Sequence, residues 1–215
     1  MESSKKSFTK STYDLFVNAI STVQPIGTVV SISAHSLDTL LNAYDYWNVK
    51  KINQFIKGIN RDEKASENFR KLLFDGDKKE ECAGRIINNI FQIETERKVE
   101  CFSFAGINFS NEEKRSHFTE KDFFRTGFVL ANTLSEDLAF LHGCNLTAEF
   151  EYSESVQGLV SSGLMYPSTD DKYRFTTFAK KLDFFALDID GSKYGIDSTF
   201  LPLENPIYAF HARFT

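Results

Sequence analysis

The chain has 215 residues, a formal net charge of −5 at pH 7, a hydrophobic share of 41% and a charged share of 26%. These values exclude a disordered polypeptide, and the 22 phenylalanines predict a core filled with large rings. A net negative charge repels a polyanion on average, so any nucleic-acid site would have to be local.

One stretch near the N-terminus, residues 15–37, contains no charged side chain and follows Lys5, Lys6 and Lys10. Its many polar residues argue against a membrane span, which needs about 20 consecutive, mainly apolar residues. Both of its ends look amphipathic, so association with a membrane surface is kept as an alternative.

Apolar residues at three-to-four spacing predict that most of the chain is helical. The first helix is expected over 11–23, and the longest from Thr28 to about Gly58, with Lys50 and Lys51 facing water. The elements predicted after it are a helix over 64–74, a turn at 75–77, a helical stretch over about 80–105 with a polar interruption at 94–98, a polar connector over 108–116, and helices from 119, over 135–143 and over 147–162.

The segment that follows Gly163 reads differently, as a loop at 167–171, a short strand over 173–175 and a helix over 177–185 that Thr176 caps. Glycines and prolines then separate short alternating runs. We therefore predict a mainly α fold, a helical bundle with three parts: a helical N-terminal region at 1–118, a winged-helix-like module at 119–187 and a β-rich tail at 188–215.

Three motifs between Glu80 and Phe185 carry a family resemblance: DFFRTGFVLANTLSEDLAFL at 122–141, GLM at 163–165 and YRFTTFAKKL at 173–182. This half of the chain resembles helical bacterial and phage-associated proteins of the abortive-infection (Abi-alpha-like) kind. The resemblance implies a role near phage defence or mobile elements and no particular reaction. The chain departs from the pattern because its winged module has no clear basic extension.

The part of the winged-helix-like module that would hold a DNA-recognition helix is acidic. Residues 126–171 contain no lysine or arginine but seven carboxylates, whereas a DNA-binding helix needs cations for the phosphates. Four nearby cations give an alternative nucleic-acid contact: Lys172, Arg174, Lys180 and Lys181. Because four charges are few, we expect a protein partner rather than DNA.

Candidate catalytic and metal-binding groups are sparse. His142 and Cys144 pair a base with a nucleophile in sequence only, and a histidine at a helix end is the simpler interpretation. The stretch from Asp188 to Ser192 begins like a calcium loop but lacks the required glycine, so a turn at 190–191 is predicted. The cysteines, odd in number and widely spaced, favour reduced thiols in a cytoplasmic protein and lack zinc-ligand spacing with His117: Cys82, Cys101 and Cys144.

No phosphate-binding loop, nucleophile elbow or HExxH motif is present, so neither an enzyme nor a cofactor is predicted. The aromatic residues Tyr44, Tyr46 and Trp47 are a possible interaction site, since rings anchor interfaces. We expect a non-enzymatic protein that binds another protein or a second copy of itself. A DNA-binding regulator and a membrane-associating effector acting through 15–37 are the alternatives.

Overall fold

The computed structural model describes Phe16, residues 44–168 and residues 171–194. Within these residues the chain is mainly helical, with one small two-stranded sheet. The helices are α1 (Tyr44–Ile59), α2 (Glu63–Phe74), α3 (Lys79–Gln92), α4 (Glu96–Ser110), α5 (Glu112–Arg115), α6 (Glu120–Asn132), α7 (Ser135–Gly143), α8 (Glu154–Ser161) and α9 (Thr177–Leu182), and the strands are β1 (Met165–Pro167) and β2 (Tyr173–Phe175).

The central element is α4, which packs against α1, α2 and α6. It is buried on most of its circumference, because small residues let its neighbours approach closely. A Cβ atom at Gly58 of α1 would overlap Ser103 of α4, and one at Gly106 would lie 2.5 Å from Ile59 Cδ1. These contacts bring the helix backbones close enough for their apolar faces to interlock.

Phenylalanine rings fill the space between these helices. The Phe123 ring of α6 lies 4.8 Å from Phe102 and 5.5 Å from Phe109 in stacked geometry, and 5.5 Å from Phe69 at nearly a right angle. Such ring pairs stabilise a core beyond the area they bury. The aromatic core predicted from composition is therefore present, and Phe123 lies at its centre.

The sheet is an antiparallel hairpin in which Met165 pairs with Phe175 and Pro167 with Tyr173. Tyr173 also exchanges two backbone hydrogen bonds with Phe150, at 3.0 and 2.9 Å. Gly163 ends the preceding helical segment with φ +69°, a backbone conformation that suits glycine. The hairpin thus lies between α8 and α9.

A π-helix, Asp183–Leu187, continues directly from α9 and packs against α4. In it the Asp188 amide donates to the Asp183 carbonyl at 3.2 Å. Asn108 of α4 donates from Nδ2 to the Phe185 carbonyl at 2.8 Å. Because the hydrogen bonds of a π-helix join residues five apart, Asp183 and Asp188 lie about one turn apart on the same side of the helix.

Several predicted boundaries are confirmed. Thr119 and Asp122 form a capping box, and Thr176 caps α9 through a 3.1 Å bond from the Ala179 amide. The predicted elements that match are the end of the longest helix near Gly58, the helices over 64–74 and 135–143, the turn at 75–77 and the strand over 173–175.

Three predictions are wrong in detail. The helix predicted over 147–162 begins only at Glu154, because the preceding residues form a turn and the bridge to β2. The connector predicted over 108–116 is largely helical and begins with the buried Asn108. Lys51 does not face water: its Nζ donates to the carbonyls of Phe91 and Ile93 at 2.9 Å each, which caps the end of α3.

Other predictions lie outside the described residues. They concern most of the helix over 11–23, the longest helix before Tyr44, the segment 15–37 except Phe16, and the tail from 195 onward. Among the residues that the structure describes, none of the helices has the length and apolar character needed to cross a bilayer. The proposed part boundaries at 118/119 and 187/188 stay predictions.

We predict that Phe123→Ala lowers the free energy of unfolding by about 3–5 kcal/mol, because it removes the ring at the centre of the aromatic core. Urea unfolding followed by circular dichroism measures this. The matched control is Phe128→Ala on the same helix, whose side chain is exposed and should change stability by less than about 0.5 kcal/mol. Equal stability of the two variants would contradict the central role of Phe123.

Candidate functional site

A group of hydrogen-bonded ionisable side chains surrounds Asp183, at the start of the π-helix. Its carboxylate is fully buried. Oδ1 lies 2.7 Å from His142 Nδ1, while Oδ2 accepts hydrogen bonds from Lys193 Nζ at 2.6 Å and from the Tyr194 hydroxyl. A buried carboxylate needs such partners, because its transfer from water is costly.

A second buried carboxylate, Asp188, binds the same turn through its backbone. Its two oxygens accept from the amides of Lys193 at 3.0 Å and Tyr194 at 2.9 Å. Asp183 thus binds the 188–194 turn to the π-helix through side chains, while Asp188, the first residue of the turn, closes it through main-chain amides. We call Asp183, Asp188, His142, Lys193 and Tyr194 the Asp183 clasp.

The clasp joins three elements. His142 lies in the last turn of α7, where the helix dipole favours a cation, and Asp183 belongs to the π-helix. Lys193 follows a turn at Asp190–Gly191 and also donates to the Cys144 carbonyl at 3.1 Å. Gly191 has φ +66°, so the predicted turn at this point is confirmed.

The clasp changes the acid–base properties of its members. The hydrogen bond to Asp183 raises the pKa of His142 above its ordinary value, although partial burial opposes this. Burial and the nearby Asp183 charge raise the pKa of the Tyr194 hydroxyl, so it remains a proton donor. When His142 is protonated, its charge and that of Lys193 balance the carboxylates of Asp183 and Asp188.

The histidine–cysteine pair that the sequence suggested is not assembled as a nucleophile and base. The clasp uses Nδ1 of His142 for Asp183, and only the backbone carbonyl of Cys144 takes part. Burial raises the pKa of the Cys144 thiol, and it raises that of Cys101 to about 11. Both thiols therefore stay protonated near neutral pH, which disfavours nucleophilic chemistry.

Two of the four cations proposed as an alternative nucleic-acid contact are already paired. Arg174 donates from Nε to Glu149 Oε1 at 2.6 Å, and Lys181 Nζ lies 2.8 Å from Asp122 Oδ2. Lys172 is exposed near Glu149, and Lys180 is partly buried on α9. Carboxylates of the chain thus compete with phosphates for half of this set.

The proposed aromatic interaction site is described only at Trp47. Its side chain is 42% exposed, and the Lys50 ammonium lies 5.3 Å from the ring centroid. The side chains of Tyr44 and Tyr46 lie outside the described part. Six large apolar side chains of the described residues are exposed: Trp47, Leu72, Phe128, Leu134, Tyr152 and Tyr166.

Four of these six side chains belong to the acidic stretch 126–171, with exposed fractions between 46% and 63%. Phe128 lies on α6, and Leu134 lies in the junction between α6 and α7 as the N-cap of α7. Tyr152 precedes α8 and donates its hydroxyl proton to Gln157 Oε1 at 2.6 Å, while Tyr166 lies on β1. We call these four residues the exposed apolar set.

Metal-binding geometry is absent from the described residues, where no group of three or more histidine, cysteine, aspartate or glutamate side chains could hold an ion. A comparison of the chain with known protein families, curated proteins and solved structures finds no match. The resemblance to abortive-infection proteins therefore stays a prediction.

We predict that Asp183→Asn lowers the free energy of unfolding by about 3 kcal/mol, because it leaves the Lys193 ammonium without its buried counter-charge. Urea unfolding at pH 6 measures this. Asp190→Asn is the control, since Asp190 is exposed and its carboxylate binds the backbone and side chain of Ser192 in its own turn, so the substitution should change stability little. If both variants unfold at the same urea concentration, the clasp does not stabilise the fold.

Proposed function

We propose that the protein is a non-enzymatic interaction protein that binds a basic segment of another protein through the acidic stretch 126–171. The observation that carries this proposal is the position of the exposed apolar set: four of the six exposed large apolar side chains fall in a stretch without lysine or arginine. Exposed aromatic side chains supply contact area at low entropic cost, and lysine or arginine side chains bind over their faces.

The charge of the surface selects the partner. Glu136, Glu151, Glu154 and Asp171 are exposed in the same stretch, so they attract a cationic segment and repel nucleic acid. Arg174 is held by Glu149, which further reduces the positive charge available to phosphates. These features favour a polypeptide partner over DNA.

The antiparallel β1–β2 hairpin between α8 and α9 supports the proposal that 119–187 is a winged-helix-like module. Winged-helix modules serve as protein-binding surfaces as well as DNA-binding ones, so the fold alone does not assign the function. The same proposal includes a role in phage defence, taken from the family resemblance, and a location in the cytoplasm.

We predict that Phe128→Ser/Leu134→Ser and Tyr152→Ser/Tyr166→Ser each weaken binding at least about tenfold, because truncation of an anchoring ring or leucine costs more than about 1 kcal/mol. The measurement is quantitative crosslinking of the purified full chain to partners in extracts of its native host. The matched control is Trp47→Ser/Leu72→Ser, which removes the two exposed side chains outside the stretch.

Four outcomes contradict the proposal. Loss of binding in the control alone would place the interface on α1 and α2. Salt-sensitive binding of duplex DNA by the wild-type chain, lost on Lys172→Ala/Lys180→Ala, would favour the DNA-binding regulator. Flotation with liposomes that depends on residues 15–37 would favour the membrane-associating effector. Concentration-dependent sedimentation that is lost with the exposed apolar set would identify the partner as a second copy of the chain.

A further inference from the structure

The described chain ends on the turn that the Asp183 clasp holds, and residues 195–215 continue from that point. The π-helix places Asp183 about one turn before Asp188, the first residue of the 188–194 turn, so that both buried carboxylates bind Lys193 and Tyr194. Had α9 continued as an α-helix, position 187 rather than 188 would share a face with 183. The π-helix is therefore the structural cause of the double anchor.

We propose that the Asp183 clasp is a proton-dependent fastening, in which protonated His142 closes the 188–194 turn onto α7 and loss of that proton loosens it. The side chain of His142 is partly exposed, so protons of the solvent reach it while its partner Asp183 stays buried. The fastening thereby controls how firmly the 188–194 turn is attached to the helices. This inference does not depend on the identity of any binding partner.

The charged groups around His142 determine whether its protonation strengthens or weakens the clasp. The π-helix presents Asp183, and the turn presents Asp188 and Lys193. Tyr194 stays a neutral donor to Asp183. From α4 the contact to the π-helix is the neutral amide of Asn108, which accepts from Lys114 Nζ at 2.8 Å, and on α9 Lys181 is bound to Asp122.

On the remaining side α8 packs against α7, where Gly158 leaves room for the Asp137 carboxylate of α7 itself. Neutral His142 therefore leaves two clasp carboxylates facing one cation, Lys193. Protonated His142 restores the balance and strengthens its bond to Asp183, since charge-assisted bonds are the stronger ones.

The raised pKa of His142 determines how the stability of the closed clasp changes with pH. A histidine whose pKa is higher in the closed state stabilises that state fully below its ordinary pKa, near 6.5. This contribution disappears as the pH rises through the raised value. Each pH unit by which the pKa is raised corresponds to about a tenfold change in the closing equilibrium.

The test is amide hydrogen exchange of Lys193 and Tyr194, whose N–H groups bind Asp188, measured by NMR on the full chain from pH 6 to pH 8.5. After correction for intrinsic exchange, protection should fall several-fold with rising pH. The fall should begin near the ordinary histidine pKa and level off above the raised His142 pKa, which the imidazole resonances report in the same samples. This comparison needs no variant, so it holds even if substitutions unfold the protein.

The decisive variant is His142→Gln, which keeps a hydrogen-bond donor for Asp183 but cannot gain a charge. Its protection should be independent of pH over this range, and the control His117→Gln should keep the wild-type dependence. The proposal is overturned if wild-type protection does not change with pH, if it keeps falling well above the His142 pKa, or if His142→Gln retains the dependence.

Discussion

Burial of the Asp183 carboxylate constrains this end of the molecule more than any other single interaction. Removing such a charge from water costs several kcal/mol unless cations and donors surround it. That requirement fixes the last turn of α7 beside the π-helix, because His142 must reach Oδ1, and it folds residues 188–194 back, because Lys193 must reach Oδ2. The Phe184 ring packs against the ring of Tyr194, a member of the clasp, with their centroids 5.0 Å apart.

Much of the fold could be predicted because its determinants are local. The capping box at Thr119 and Asp122 is a pattern over four residues, and the Thr176 cap also acts within its own turn. Tertiary contacts explain the failures. Lys51 follows a polar pattern, yet its ammonium binds the Phe91 and Ile93 carbonyls at the end of α3, and burial lowers its pKa. Such a partner, 40 residues away, leaves no local signal.

The site was harder to predict for the same reason. His142 and Asp183 are 41 residues apart, and their meeting depends on the packing of α7 against the π-helix. The spacing of Asp183, Asp188 and Lys193 did hold a signal: two aspartates five apart, followed after a glycine turn by a lysine. That spacing suggests a shared face only when a π-helix is assumed, and such helices are too rare to be assumed from sequence.

The exposed apolar set and the Asp183 clasp are held in place by different interactions. The exposed apolar set lies on elements fixed by apolar packing and backbone bonds, such as the Phe150–Tyr173 bridge, so its presentation should not change with pH. The clasp depends on buried charge and on one titrating imidazole. A partner that binds the acidic stretch would therefore respond to salt, which screens exposed carboxylates, whereas the clasp would respond to protons because its carboxylates are shielded from ions.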